Sequence, residues 1–375
     1  MGELVALDLP AGPGFVDALC AAWESGDAVL PLDPRLPGPA TDRLLRALRP
    51  ARVVSPDGVR VLRGARPVES GDALVVATSG TTGEPKGVVH THASVAASAV
   101  STSAGLDVGP DVDRWVACLP LAHIGGLSVV TRSLLTATPC TVLERFDPAL
   151  VEAEARDGAT LVSLVATALR RTDASGYRKV LLGGSAPPST LPGNVVTTYG
   201  MTETGSGCVY DGRPLSGVEL RIGDGDLGGD GEILVRGPML LRAYRDGTDP
   251  RIGDGWFPTG DGGRLEPDGT LVVFGRMAEV IVTGAEKVWP VPVEDVLSVH
   301  PSIAEVAVWK RPDVEWGERV VAWIVPESGA RVPAVEELRA MVAERLAPWA
   351  GPRELVVVDR LPRTPGGKVR RSRLS

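Results

Sequence analysis

Apolar residues along this chain fall in short dense runs. "DALVVATSG" (72–80), "RKVLLGG" (178–184) and "NVVTTYG" (194–200) are rich in Val and Leu and close on Gly or small polar residues, a pattern that predicts buried strands. Between two of them, "DPALVEAEAR" (147–156) reads as a helix. Strands alternating with helices favour a mostly parallel α/β sheet, in which ligands gather beyond the carboxyl ends of strands. Two runs place Gly184-Ser185 and Gly200-Met201-Thr202-Glu203 at such ends.

The texture changes after "GTLVVFGR" (269–276), which follows a Gly/Asp/Pro-rich region. The expected division is a large N-terminal α/β domain over 1–275 and a small C-terminal α+β domain over 276–375, joined by a hinge. In the second domain "AEVAVWK" (304–310), "VVAWIV" (320–325) and Leu355–Val358 read as strands. Val335, Leu338, Val342 and Leu346 recur at helical spacing.

Composition narrows the functional classes. With 39 Lys+Arg against 47 Asp+Glu, the net charge is −8, and basic residues cluster only at the extreme C-terminus. Nucleic acid is therefore not expected as the main partner. "MGELVALDLP" has no basic start and no apolar core, and no apolar run approaches the ~18 residues that a bilayer span needs. The expectation is a cytoplasmic protein with no membrane partner. Cys20, Cys118, Cys140 and Cys208 show no CxxC spacing, so a zinc site or disulfide framework is not indicated and core thiols are expected.

The most unusual stretch is "ATSGTTGEPKGVVHTH" (77–92). A Walker A loop requires G-x-x-x-x-G-K-[ST], but here Lys86 follows Pro85 and precedes Gly87. Gly223, Gly225 and Gly228 match G-x-G-x-x-G, yet they lie between two strands with no helix following, so a hairpin turn is the reading. Thr78, Ser79, Thr81 and Thr82, with Gly80, Gly83 and Lys86, offer hydroxyls, flexible backbone and a cation suited to wrapping a polyphosphate. His90 and His92 form H-x-H, but no third ligand lies nearby in sequence, so a zinc site is rejected.

The segment Thr78–Val88 resembles the phosphate-binding signature of the adenylate-forming enzymes, the superfamily of acyl-CoA synthetases, luciferases and peptide-synthetase adenylation domains. Other segments resemble that family in its own order: "GDAVLPLDPRLP" (26–37), "PLAHIGGL" (120–127), "LLGGSAP" (181–187), "TYGMTETG" (198–205), "GWFPTGDGG" (255–263), "GRMAEVIVTGAEKVWPVPVE" (275–294) and "RTPGGKVRR" (363–371). The resemblance implies activation of a carboxylate by ATP with Mg2+ to an acyl-adenylate, then transfer to coenzyme A. It also implies a shortened adenylate-forming fold, since only 77 residues precede the phosphate loop.

By the same resemblance, Thr202 bonds the α-phosphate, Glu203 binds Mg2+, Tyr199 stacks on adenine and Asp261 accepts the ribose hydroxyls. Gly184, Ser185, Gly200 and Met201 complete the nucleotide site, and Arg276 touches ribose or phosphate from the hinge. Lys368 reaches in as a charge that bridges substrate carboxylate and phosphate. His123 lines the acyl or thiol channel, because a carboxylate nucleophile needs no general base.

The short length, with "SLVATALRR" (163–171) and "TYGMTETGSGCVYDGRPLSGVELRI" (198–222), is similar to the compact actinobacterial o-succinylbenzoate:CoA ligases of menaquinone biosynthesis. That likeness implies an acyl pocket formed by Ser163, Gly205, Ser206 and Gly207, with Arg170 or Arg171 as candidates for the far carboxylate. Two positions depart from the family pattern. Ala278 stands where the hinge commonly has aspartate, and Gly284-Ala285 replaces a Gly-Gly doublet in the expected CoA channel. Both bear on the thioester step.

The expected partners are ATP, CoA and an aryl carboxylic acid, with a homodimer left open. No carrier domain follows residue 375, which favours a free-standing ligase. The competing readings are a CoA ligase for another aryl or medium-chain acid, an acyl-nucleotide binding protein without turnover, and a P-loop ATPase.

Overall fold

A computed structural model describes residues 2–79, 85–184, 190–223, 229–363 and 369–374, with the side chain of Ser79 left out. The chain forms two compact units, Met1–Leu220 with Val235–Phe257, and Arg221–Leu234 with Pro258–Ser375. The expected hinge at residues 275 and 276 lies inside the second of these, at the end of a strand.

The first unit holds two seven-stranded sheets where the periodicity had indicated one. Its strands are β1 (Leu4–Leu7), β2 (Ala28–Pro31), β3 (Arg52–Ser55), β4 (Gly58–Val61), β5 (Asp72–Ser79) and β6 (Pro85–Thr91), then β7 (Trp115–Ala117), β8 (Cys140–Val142), β9 (Leu161–Val165), β10 (Lys179–Gly183), β11 (Val195–Met201), β12 (Ser206–Tyr210) and β13 (Arg213–Pro214). β14 (Glu219–Ile222), β15 (Gly231–Arg236) and β16 (Ala243–Tyr244) follow. The first sheet runs β16-β6-β5-β2-β1-β3-β4, parallel from β5 to β3 with antiparallel strands at both ends. The second runs β13-β12-β11-β10-β9-β7-β8, parallel except for β12 and β13. Each local run reads alike as a strand, and only long-range pairing decides which sheet it joins.

Helices α1 (Pro13–Glu24), α2 (Gly38–Leu48), α3 (His92–Gly105), α4 (Ile124–Thr136), α5 (Pro148–Arg156) and α6 (Ala166–Leu169) flank these sheets. Thr91 caps α3 in a reciprocal box with Ser94: Ser94 N donates to Thr91 Oγ1 at 3.1 Å and Thr91 N donates to Ser94 Oγ at 3.0 Å. α5 starts where sequence placed it, with Asp147 Oδ1 accepting from Ala149 N at 2.9 Å and Pro148 in the first turn. One core packs Leu4, Leu30 and Val75 against Leu44, Leu45 and Leu48 of α2. Another gathers Val116, Val162 and Val180 with Val151 of α5.

The second unit contains β17 (Phe257–Leu265) and β18 (Leu271–Arg276), which extend β14 and β15 into a four-stranded sheet. β14 and β15 are neighbours and Gly223 N donates to Glu232 O at 2.8 Å, so the glycine run joins two adjacent strands as expected; Gly225 and Gly228 lie outside the described residues. A five-stranded sheet follows, made of β19 (Ile281–Thr283), β20 (Glu286–Val288), β21 (Ile303–Asp313), β22 (Gly317–Pro326) and β23 (Glu354–Val357), with α7 (Pro290–Ser298) and α8 (Val335–Ala343). Leu338 and Val342 of α8 are fully buried with Val293, Leu297, Val320 and Ile324. Leu346 lies beyond the helix end yet packs on the same cluster.

No helix among the described residues is long and apolar enough to cross a membrane. Cys118 and Cys208 are buried, and burial raises both thiols to about 12. Cys20 and Cys140 are only partly buried, so the expectation of four core thiols holds for two.

Candidate active site

The strands that flank the threonine- and glycine-rich stretch pair antiparallel. β5 and β6 pair through Thr78↔Lys86 and Ser79↔Pro85, and Gly80, Thr81, Thr82 and Gly83 lie outside the described residues. A P-loop joins a strand to a helix. Here the chain returns as β6, and α3 starts only at His92, which removes the P-loop ATPase reading.

Beyond β11 the chain turns sharply. Tyr199 and Gly200 sit in a β-bulge between β11 and β12, and Thr202, Glu203 and Thr204 form one 3-10 turn. Thr204 is fully buried; its hydroxyl accepts from Met201 N at 2.8 Å and lies 2.7 Å from Ser206 O. Gly205 adopts φ 68 and Ser206 φ 149, so this short segment carries two left-handed residues in succession. For Ser206 that conformation costs about 1–3 kcal/mol, strain of the kind found at functional sites. Gly207 on β12 abuts the Tyr210 ring, where a Cβ would approach Cε1 to 2.9 Å.

Thr202 and Glu203 are half-buried and are met by residues far away in sequence. His90 Nε2 lies 2.7 Å from Thr202 O, Leu241 N donates to Glu203 O at 2.8 Å, and the Tyr244 hydroxyl donates to Glu203 Oε1 at 3.0 Å. Lys86 Nζ stands 5.2 Å above the Tyr244 ring. The structure thus brings together Lys86, Thr202 and Glu203, three of the expected residues, through two that were not expected, His90 and Tyr244. Burial lowers His90 to about 4, so it is neutral, and burial with the adjacent Glu203 carboxylate raises the Tyr244 phenol. His92, the other half of H-x-H, packs edge-on against Trp23 at 5.1 Å.

Gly184 (φ 86) follows β10, and Ser185 lies outside the described residues. Ser163 is half-buried on β9, and its carbonyl is 3.7 Å from Cys118 Sγ. His123 precedes α4 with its side chain 62% exposed, and its Nε2 is 3.7 Å from Asp33 Oδ2. The Arg35 guanidinium donates to Asp33 and holds that carboxyl below its ordinary range. Arg170 and Arg171 are both exposed, and Arg171 lies 5.5 Å over the Phe146 ring. Arg132 of α4, by contrast, is buried, 1% exposed and stacked 4.8 Å over Trp115. Its Nε and Nη1 have no hydrogen-bond partner among the described residues.

In the second unit Asp261 on β17 and Arg276 on β18 are cross-strand partners, with Arg276 Nε 3.0 Å from Asp261 Oδ1. Arg276 Nη1 also donates to Thr259 O at 3.2 Å. Gly284 (φ 60) and Ala285 (φ 70) are the two central residues of the β19–β20 hairpin, whose strands close at Thr283↔Glu286. A two-residue turn with both φ values positive favours glycine at each position, which is the physical sense of a Gly-Gly doublet there. Lys368 lies outside the described residues.

These paired strands with Lys86 beside a Thr-Glu turn, on a large α/β unit followed by a small α+β unit, lie in a chain that matches the AMP-binding enzymes. Residues 58–245 match the family profile described as "AMP-binding enzyme", and residues 292–368 match "AMP-binding enzyme C-terminal domain". The sequence is 41% identical over 365 residues to the probable 2-succinylbenzoate–CoA ligase of Mycobacterium tuberculosis, covering 90% of this chain and 93% of that one. It is 35% identical to the 2-succinylbenzoate–CoA ligase of Bacillus cytotoxicus, over 80% of this chain and 69% of the other. Among solved structures, o-succinylbenzoate CoA synthetase of Bacillus subtilis in complex with its acyl-adenylate intermediate superposes with a TM-score of 0.83 at 29% identity, covering 100% of this chain and 88% of that one. The same enzyme with ATP and magnesium gives 0.82 at 28%, covering 100% and 89%. The chain belongs to the 2-succinylbenzoate–CoA ligase family of AMP-binding enzymes.

Proposed function

We propose that this chain is an acid–thiol ligase that uses ATP to adenylate o-succinylbenzoate and passes the acyl group to CoA, releasing pyrophosphate and AMP, in the cytoplasm. The single observation that carries the adenylation half is the meeting of Lys86, Tyr244, Glu203 and Thr202 on one edge of the first sheet. The choice of acid rests on the likeness to ligases named for it.

In this reading the hairpin hydroxyls and Lys86 embrace the β- and γ-phosphates, and Thr202 bonds the α-phosphate. Among the described residues no cluster of three or more His, Cys, Asp or Glu side chains could cage a metal. The lone Glu203 carboxylate suits Mg2+, which takes one or two carboxylates and leaves other positions to nucleotide phosphates and water. Bound there, Mg2+ would neutralise phosphate charge during attack at the α-phosphorus. Tyr199 and Gly184 flank the base, and Asp261 with Arg276 serves the ribose. Lys368 draws the substrate carboxylate onto the phosphate, and a hinge at Gly275-Arg276 then exchanges the two half-reactions.

The acid has two carboxylates, and one must stay intact at the far end of the pocket. Arg132 fits that task. It is a buried guanidinium with two nitrogens, Nε and Nη1, that have no hydrogen-bond partner among the described residues, and the adjacent Tyr210 ring borders the pocket glycine Gly207. An unpaired buried cation is costly, and a ligand carboxylate would offset that cost.

Incubation with ATP, Mg2+ and o-succinylbenzoate, followed by mass spectrometry, tests the reading. The expected products are the acyl-adenylate without CoA, and AMP with the thioester when CoA is added. ADP and phosphate, or no adenylate with this acid, would refute it.

A further inference from the structure

Three hydrogen bonds converge on the dipeptide Thr202-Glu203, and each comes from the β6–β16 side of the first sheet. His90 of β6 reaches Thr202 O at 2.7 Å, Leu241 N reaches Glu203 O at 2.8 Å, and the hydroxyl of Tyr244 on β16 reaches Glu203 Oε1 at 3.0 Å. β16 pairs directly with β6 through Tyr244↔Val88 and Ala243↔Val89. The strand that leaves the phosphate hairpin therefore carries, on itself and on its neighbour, the groups that grip the turn.

A carbonyl only accepts, so the His90 nitrogen facing Thr202 carries the proton, and Nδ1 faces Ser94 Oγ at 3.3 Å. His90 is fully buried and spends both ring nitrogens in this way. Tyr244 has two contacts of opposite sign: its ring face lies 5.2 Å from Lys86 Nζ, and its hydroxyl donates to Glu203. Lys86 and Glu203 form no ion pair among the described residues. A direct pair would neutralise both charges, whereas a phenol orients the carboxylate and leaves its charge for a cation. Glu203 Oε2 has no hydrogen bond among the described residues.

We propose that Tyr244 is a positioning residue that, together with His90, holds the Glu203 carboxylate aimed for Mg2+ and aligned with Lys86 before nucleotide binds. This rests on the reading of Glu203 as the metal carboxylate. Preorganisation of this kind removes the ordering that a free glutamate side chain would undergo on binding.

The test is equilibrium dialysis of ATP with and without Mg2+, which reads binding and not turnover, on the wild type and on Tyr244→Phe, His90→Gln, His90→Leu and Glu203→Gln. Tyr244→Phe removes only the hydroxyl. It should bind Mg2+-free ATP as the wild type does and lose about tenfold to a hundredfold of the tightening that Mg2+ brings, the scale of one hydrogen bond to a charged group. His90→Gln, which keeps an N–H donor, should retain most of that tightening, and His90→Leu should lose it. Wild-type tightening in Tyr244→Phe, or equal weakening with and without Mg2+, would overturn the positioning role. Equal behaviour of the two His90 variants would overturn the part given to His90. If Glu203→Gln keeps the full Mg2+ effect, the metal reading itself fails, and this inference with it.

Discussion

The Thr202-Glu203 turn and the Asp261–Arg276 pair are both assigned to the same nucleotide, yet they are held in opposite ways. The turn is gripped by a buried histidine, a backbone amide and a phenol, from partners as far as 112 residues away in sequence. The pair joins a buried aspartate to an arginine whose side chain is 55% exposed and also donates to Thr259 O, with Gly275 at φ 126 beside it. Buried hydrogen bonds fix a group that must be correct before substrate arrives, whereas an ion pair whose arginine is more than half exposed is screened by solvent and contributes less. In the proposed reading, this is the contrast expected between a preformed phosphate site and a residue beside a hinge.

The contrast breaks most sharply at Lys368. Lys368→Ala should slow acyl-adenylate formation by about a hundredfold or more, the scale of a lost transition-state charge contact, with ATP affinity little changed. Rapid-quench measurement of adenylate alongside nucleotide binding separates the two effects, and unchanged adenylation would remove the lysine from the mechanism.

His90 gives the next largest effect, through pH. Its folded pKa of about 4 lies below the ordinary 6.5, so the unfolded chain binds the extra proton between those values. Stability from this residue is therefore full above pH 6.5 and is lost as pH falls toward 4. Urea unfolding at pH 7.5 and pH 5 should show the wild type losing roughly 2 kcal/mol more than His90→Gln. Parallel losses in the two proteins would mean that the histidine is not buried neutral.

Arg132→Met probes the proposed anchor for the second carboxylate. The variant should raise the KM for o-succinylbenzoate about tenfold or more and leave that for a simple benzoate unchanged. Thermal unfolding of the ligand-free protein should not fall, because an unpaired buried charge has been removed. A drop in melting temperature with no change in KM would make Arg132 purely structural.

Smaller effects belong to the exposed second-unit positions. Arg276→Gln should change the unfolding free energy by less than about 0.5 kcal/mol. Ala285→Gly should stabilise by up to about 1 kcal/mol, since it relieves a left-handed alanine in a two-residue turn. Denaturant titrations check both, and a large loss in either would erase the distinction between a fixed site and a loose one.

The sequence made the Thr/Gly-rich stretch at the end of β5, the Thr-Glu turn beyond β11 and the two-part α/β then α+β order legible because each is written in local residue order. Thr78, Lys86 and Glu203 could be named from neighbours a few positions away. His90 could not: H-x-H read only as a rejected metal pair, since its partner carbonyl lies 112 residues on. Tyr244 sits in "LLRAYRDG", which carries no local signal, and its meaning comes from pairing of β16 with β6. The division into two sheets escaped the periodicity for the same reason, as strand pattern is local and strand pairing is not. Helix phase left Arg170 and Arg171 open as anchors, and the fold leaves both exposed while it buries Arg132.

The most direct test of the central claim is pyrophosphate release from ATP and Mg2+ across a panel of o-succinylbenzoate, substituted benzoates and medium-chain fatty acids, with and without CoA. The account predicts a kcat/KM for o-succinylbenzoate well above every other acid, with continuous turnover only when CoA is present. Preference for a different acid, or no pyrophosphate release with any of them, would contradict it.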